Sequence, residues 1–233
     1  MASAKGIGLI IGGGAIAALL LFSKKSKAGG LFSSEKRVNI NPDTKIGKFF
    51  QWKEFVRSSV FPEMANYKPT ESELAHTRNV VKKILDPIRA AFGPTVVSGG
   101  GRPASVAAAH GTTWYDLLKS RGLSPAKNSD HDTFDAFDIK PTKVSGIAGW
   151  QKVVQFLRKL IKTGNIRQSM VYFTRAADGL VKISHIHLAA TRPGKPQVVP
   201  ERRLLFVLDG KAVATPKEFK TLQVEPESVQ LFT

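Results

Sequence analysis

The sequence predicts an α+β fold, because segments with helical spacing and short strand segments follow one another without a repeating βαβ order. Two long segments carry apolar residues at helical spacing, and two later regions are typical of antiparallel hairpins. Of the 233 residues, 42% are hydrophobic and 23% are charged, which indicates a folded chain and excludes a wholly disordered one.

The clearest helix begins after Thr70, where Thr70-Glu71-Ser72-Glu73 has the pattern of a capping box. Apolar residues follow at helical spacing as far as Phe92, and Gly93-Pro94 ends the pattern. Pro87 lies inside this segment, so we expect the helix to kink or break near Leu85.

The other predicted elements are shorter, with one exception, the amphipathic segment 147–163 that ends at Gly164. Two further helical stretches are predicted at 49–58 and 114–121. Strands are predicted at 95–98 and 134–139, and hairpins at 169–189 and 204–214.

The N-terminal region contains an uncharged apolar segment, Gly6–Phe22, with Lys5 before it and three lysines soon after it. As a helix it would be about 25 Å long, close to the shortest transmembrane spans. We therefore predict one membrane anchor in residues 6–22. A secretory signal peptide, cleaved near Ser26-Lys27-Ala28, is the alternative. The lysines after the segment favour a main domain on the cytoplasmic side, whereas a wall enzyme works on the other side.

Composition divides the chain into four predicted regions. These are an anchor at 1–27, a linker at 28–46 rich in Gly, Ser, Asn and Pro, a domain at 47–192, and a C-terminal extension at 193–233 with a hairpin and an arm.

The chain is strongly basic, with 35 Lys and Arg against 18 Asp and Glu and a net charge of +17. The positive residues are scattered through the domain, and no nucleic-acid-binding motif accompanies them. Adhesion to an anionic wall or lipid surface is therefore favoured over nucleic-acid recognition. The chain has no cysteine, so any metal site must be built from His, Asp and Glu.

Three residues have a spacing that suits a metal site. His185 and His187 are two apart in a predicted strand and so point to the same face, and His131 shortly precedes the strand that carries Asp138. Two histidines and one aspartate can hold zinc and leave a fourth position open for water.

Several short motifs occur in a fixed order along the chain. They are Phe49–Phe55 (FFQWKEF), Asn66, Leu85–Arg89 (LDPIR), Val97–Arg102 (VSGGGR), Ser129-x-His131 with Ala136-x-Asp138-Ile139, and His185–Leu188 (HIHL). Over residues 48–190 this order resembles the zinc D-alanyl-D-alanine carboxypeptidases and the L-alanyl-D-glutamate peptidases found among phage endolysins.

The resemblance implies a Hedgehog/DD-peptidase-like domain with a small antiparallel sheet and flanking helices. It implies zinc held by His131, Asp138 and His187, and an arginine, Arg102, that faces the substrate. The implied reaction is hydrolysis of peptide bonds in the stem peptides of bacterial peptidoglycan.

The sequence departs from this family pattern at several positions. Ser184 occupies the position of the usual acidic general base, and strict alternation would place it on the opposite face from His187. We expect His185 to take the proton role, with Asp178, Asp130 and Asp132 as alternatives. Other departures are Phe134 in place of a glycine, a three-glycine run without the usual tyrosine, and an apparent insertion near 109–128.

Two functions follow from these observations. The first is a membrane-anchored zinc peptidase that opens the bacterial wall, carried in a phage particle or held in the inner membrane facing the periplasm. The second is an inactive protein of the same fold, which contacts the membrane, the capsid or nucleic acid in a membrane-containing virion.

Overall fold

The structure, a computed structural model, describes residues 36–58, 61–122, 125–175, 181–194, 204–208 and 211–213. The predicted anchor at 6–22, the alternative cleavage site and the C-terminal arm lie outside these residues. Within the described part of the chain, no helix combines the length and the apolar character that a membrane crossing needs.

The α+β class is confirmed. Five α-helices are described: α1 (Glu71–Val80), α2 (Asp86–Phe92), α3 (Ala104–Ala109), α4 (Trp114–Ser120) and α5 (Gly146–Lys162). Short 3-10 helices lie at Trp52–Glu54, Pro62–Asn66 and Asp130–Thr133. Only the first of these represents the helix predicted at 49–58, and α3 has no counterpart among the predicted elements.

The predicted first helix is present as α1 and α2, joined without a gap. Its capping box is confirmed: the Thr70 hydroxyl accepts from Glu73 N at 3.1 Å, and the Glu73 carboxylate accepts from Thr70 N at 2.8 Å. Instead of a break, a π-helical turn at Val81–Leu85 precedes Pro87. The wider turn accommodates a residue that cannot donate a backbone hydrogen bond and that crowds the preceding turn.

Six strands form one mixed sheet: β1 (Thr95–Gly99), β2 (Ala136–Pro141), β3 (Ile166–Arg175), β4 (Val181–Ala190), β5 (Leu204–Leu208) and β6 (Lys211–Val213). Their order is β1-β2-β4-β3-β5-β6, and every neighbouring pair is antiparallel except β3 and β5. Both predicted hairpins are present. The second one extends the main sheet, because β5 pairs with β3.

The strand predicted at 134–139 begins two residues late, at Ala136. Phe134 instead closes the 3-10 turn before it, with a left-handed backbone at φ 57°. This backbone region is the one that glycine adopts most readily. The ring of Phe134 is fully buried and stacks on Trp52 and Tyr67, so packing offsets the backbone cost.

The core lies between the helices and one face of the sheet. The inward side of α5 contributes Val153, Val154, Leu157 and Leu160, as its spacing predicts. The chain joins the domain from Arg37 onward, where Arg37 bridges Thr70 and Val38 N donates to Pro69 O at 2.7 Å. Residues 37–46 of the predicted linker are therefore packed on the domain.

Candidate metal centre

Two adjacent strands and one turn bring the predicted ligands together. Asp138 of β2 pairs directly with His187 of β4, so both side chains project from the same face of the sheet. His131 approaches from the 3-10 turn that precedes β2. The donor atoms of these three residues all lie within 4.8 Å of one another, and this buried cluster could hold a metal ion.

The distances within the cluster match three corners of a metal coordination shell. His187 Nδ1 lies 2.9 Å from Asp138 Oδ1 and 3.1 Å from His131 Nε2, and His131 Nε2 lies 3.3 Å from Asp138 Oδ1. Ligand atoms at zinc bond lengths of about 2.0–2.1 Å in a tetrahedron are separated by roughly 3.3 Å. The three atoms are therefore spaced as zinc ligands would be.

Proton positions also favour a cation. His131 Nδ1 lies 2.9 Å from the carbonyl oxygen of Gly100, which can only accept, so Nδ1 donates, and a ring with a single proton turns the lone pair of Nε2 to the cluster. That lone pair faces an Asp138 oxygen, which is also an acceptor. The single N–H of a neutral His187 can donate to only one of these two acceptors, His131 Nε2 or the Asp138 oxygen. A cation at the centre would contact the lone pairs of all three residues.

Electrostatics keep the ligands in their metal-binding forms. Burial acts to raise the pKa of Asp138, but the facing rings of His131 and His187 outweigh it and hold that pKa well below its ordinary value. Burial lowers the pKa of His187, although the Asp138 carboxylate acts in the opposite direction. The cluster at neutral pH is thus an ionised carboxylate beside a neutral imidazole, as metal binding requires.

The three-glycine run after β1 lies against this centre. A bulge at Ser98 brings Gly99 opposite Asp138, where a Cβ would overlap the carboxylate. A Cβ on Gly100 would overlap the carbonyl of Phe55, and one on Gly101 would overlap the ring of Phe134. Each glycine is therefore required by a close approach, so the run is a packing feature of the site.

A second bulge lies at Ser184 in β4, next to His185. Tyr172 pairs with His185 but Phe173 pairs with Ile183, which leaves Ser184 as an extra residue in β4. Strict alternation therefore does not apply across this point, contrary to the expectation that set Ser184 on the opposite face. The Ser184 hydroxyl lies 3.0 Å from His185 Nδ1.

His185 is held in a half-buried position at the edge of the cluster. Its ring stacks on Tyr172 at 4.5 Å between centroids and 13° between planes. Burial lowers the pKa of His185, with Asp138 acting to raise it, so the ring is neutral at neutral pH. In the tautomer whose Nδ1–H donates to the Ser184 hydroxyl, Nε2 of His185 carries a lone pair.

Arg102 begins the segment after the glycine run. Its backbone N–H donates to the carbonyl of His131 at 2.9 Å, which ties it to the ligand turn. Its positive charge contributes to lowering the pKa of His185 and of His187, so the guanidinium lies within electrostatic range of the cluster.

The alternative proton acceptors differ in their surroundings. Asp130 forms a buried ion pair with Arg167, and Asp132 accepts from Ser129 N at 3.2 Å within a capping box of the ligand turn. Both carboxylates therefore have structural partners. Asp178 lies outside the described residues.

Sequence analysis missed several residues at this site. Tyr172 is identified only by its register opposite His185, and Asp135, Arg192 and His76 form a second polar cluster behind the ligand turn. Each depends on strand pairing or on contacts between distant segments, for which the sequence carries no local signal.

No family model matches this chain, and neither the curated proteins nor the solved structures contain a match to it. The peptidase resemblance therefore rests on the motifs and stays a prediction.

Proposed function

We propose that this chain is a membrane-anchored zinc peptidase that hydrolyses stem peptides of bacterial peptidoglycan. The observation that carries the proposal is the triad of His131, Asp138 and His187, whose donor atoms lie 2.9–3.3 Å apart and which could hold a metal ion. Zinc bound there would polarise a peptide carbonyl and lower the pKa of a coordinated water.

The residues around the cluster have chemistry that suits peptide hydrolysis. The Arg102 guanidinium can hold a peptide carboxylate or a developing oxyanion, because its planar fork pairs with both. His185 is neutral at neutral pH, and in the tautomer whose Nδ1–H donates to Ser184, its Nε2 can accept a proton. We assign His185 the role of general base, which an acidic residue usually has in the family that this chain resembles.

Substrate and location follow from the sequence features outside this centre. The apolar segment 6–22 would hold the domain at a lipid bilayer, either of a viral particle or of the bacterial inner membrane facing the periplasm. The net charge of +17 would favour contact with an anionic wall and with anionic lipid. Capsid or membrane proteins of a virion are further partners under this proposal.

The test uses the full chain purified in detergent. Metal analysis should give about one zinc per chain, and incubation with purified peptidoglycan should release free amino groups or D-alanine. His131→Ala should abolish both zinc retention and release. A chain that retains zinc but releases nothing from peptidoglycan would contradict the peptidase proposal. In that case His185→Ala would cause no further change in release.

A second function is favoured by one observation, the serine at position 184 where the resembling family has its acid. Under it, the domain is an inactive peptidase fold that binds or scaffolds at a membrane, capsid or nucleic acid. His131→Ala would then leave particle assembly and surface binding unchanged, whereas the peptidase proposal requires loss of wall opening.

A further inference from the structure

A second buried polar cluster lies behind the turn that carries His131. It contains two aspartates that flank the turn, Asp130 and Asp135, and two arginines that pair with them, Arg167 and Arg192. Asp130 and Asp135 are 8% and 1% exposed, so these carboxylates are not solvated by bulk water. We call these two ion pairs the Asp–Arg clamp.

The pair at the C-terminal side of the turn is the better defined. Arg192 Nε lies 2.8 Å from Asp135 Oδ2, in an ion pair without hydrogen-bond alignment. The Thr133 hydroxyl donates to the same carboxylate oxygen at 2.6 Å. Because Thr133 is part of the turn, the carboxylate connects the turn to Arg192.

His76 of α1 connects the same arginine to the turn by a second route. Its Nδ1 donates to the carbonyl of Thr133 at 2.7 Å, so Nε2 is the acceptor and takes a hydrogen bond from Arg192 Nη1 at 2.9 Å. The ring is therefore neutral, with its proton on Nδ1. Arg192 thus contacts the turn through both Asp135 and His76.

One arginine lies in a strand beside the metal centre, and the other lies just after the neighbouring strand. Arg167 lies in β3, and Arg192 follows β4, the strand that carries His187. The two strands meet here, with Thr191 N donating to Asn165 O at 3.1 Å, and Ala190 N donating to Asp135 O at 3.0 Å. The clamp therefore connects the turn that carries His131 to the strand that carries His187.

We infer that the Asp–Arg clamp is a positioning device that sets the separation of His131 from His187 before a metal binds. The contacts described above join the clamp to the turn and to the neighbouring segments, not to the ligand atoms, so its members are positioning residues. The inference rests on the metal centre proposed above, and it assigns these four residues a role in metal affinity beyond their contribution to folding. Outer-shell groups that orient ligands commonly change metal affinity by about 10–100-fold.

The experiment measures the zinc dissociation constant of the full chain by chelator competition, together with the melting temperature. Asp135→Asn removes the negative charge at nearly constant size, and Arg192→Lys keeps the positive charge but removes the guanidinium that contacts both Asp135 and His76. Each should weaken zinc binding by about 10-fold or more while secondary structure stays intact. Thr133→Val, which introduces no unpaired charge, should give a smaller loss in the same direction and serves if the charge variants do not fold.

Asp86→Asn is the matched control. Asp86 accepts backbone hydrogen bonds from Lys48 and Phe49 at 2.7 and 3.2 Å, in a part of the domain that contributes no metal ligand. It should lower the melting temperature yet leave the zinc dissociation constant within about a factor of two. Folded clamp variants that bind zinc as the unmodified chain does would overturn the inference. An unmodified chain that binds no zinc would overturn the metal centre itself.

Discussion

The two polar clusters on either side of the turn at 130–134 bury similar groups but match their charges differently. Behind the turn, each aspartate has an arginine, and the histidine has both a donor and an acceptor. In front of it, when both rings carry one proton, His131, Asp138 and His187 present more acceptors than protons. The cluster behind the turn thus pairs its charges within the protein, although Asp135 Oδ1 has no hydrogen-bond partner among the described residues, whereas the cluster in front could also hold a cation.

The substitution with the largest expected effect breaks the front cluster, which consists of His131, Asp138 and His187. Asp138→Ala removes the only negative ligand, so zinc affinity should fall by more than the roughly 100-fold typical of outer-shell changes. Chelator competition measures this loss. His110→Ala is the control, because His110 is exposed, pairs with Glu63 and lies outside the cluster, and it should bind zinc normally. Equal affinity in both variants would contradict the assignment of the ligands.

A methyl group beside the front cluster should have the next largest effect on zinc binding. In Gly99→Ala the new Cβ overlaps the Asp138 carboxylate, so the ligand must shift. We expect a loss of about 1–3 kcal/mol in the free energy of unfolding and weaker zinc binding. Gly111→Ala is the matched control, since its Cβ meets open space and only its backbone at φ 67° opposes the change. Denaturant titration with and without zinc separates the loss of stability from the loss of zinc binding. Unchanged zinc affinity in Gly99→Ala would refute the close approach of Gly99 to Asp138.

Breaking an ion pair of the Asp–Arg clamp, behind the turn, should lower the stability of the fold. Asp130→Asn leaves Arg167, with a side chain 13% exposed, without its counter-charge, and should cost about 3 kcal/mol in the free energy of unfolding. In the double variant with Arg167→Gln, part of this loss should return, with a coupling energy of about 0.5–3 kcal/mol. Urea unfolding of the four proteins measures the cycle. Strictly additive losses would show that the two residues do not act as a pair.

The smallest effect is a pH dependence of stability that the histidines at and beside the front cluster contribute. His185 and His187 have folded-state pKa values lowered from 6.5 by burial, so the unfolded chain binds more protons below that pH. Stability without metal should therefore fall as pH decreases through this range, by up to about 1.4 kcal/mol per pH unit for each histidine. Asp138, whose pKa lies well below 3.8, adds a further loss in stronger acid.

Urea unfolding at several pH values, with chelator present, measures this slope. His187→Asn should reduce it, whereas His110→Asn should leave it unchanged. A chain that becomes more stable as the pH falls from 7 to 5 would contradict the direction of both histidine shifts.

Much of the fold could be predicted, because its signals are local, and the cluster of His131, Asp138 and His187 could be expected from spacing and from the family resemblance. The capping box at Thr70, the period of α5 and the turn-separated hairpins each depend on neighbours within a few residues. His185 and His187 share a face through alternation over two positions, without an intervening bulge.

The rest depends on contacts between distant segments. The bulge at Ser184 is a property of the pairing between β3 and β4, and it interrupts the alternation from which the face of Ser184 is predicted. The left-handed Phe134 is stabilised by Trp52 and Tyr67 from elsewhere in the chain. His76 meets Arg192 across 116 positions. No pattern within one segment predicts such pairs.

The strand order has a kinetic consequence. β3 and β4 are neighbours in sequence as well as in the sheet, so this hairpin can form early in refolding, whereas Asp138 must reach His187 across 49 positions and His131 must reach it across 56. Closing long loops slows folding, because the entropy is lost before contacts compensate for it. A refolding chain should therefore regain β-sheet circular dichroism before it regains tight zinc binding. The delay between the two signals would measure how long the turn that carries His131 takes to pack on a sheet that has already formed.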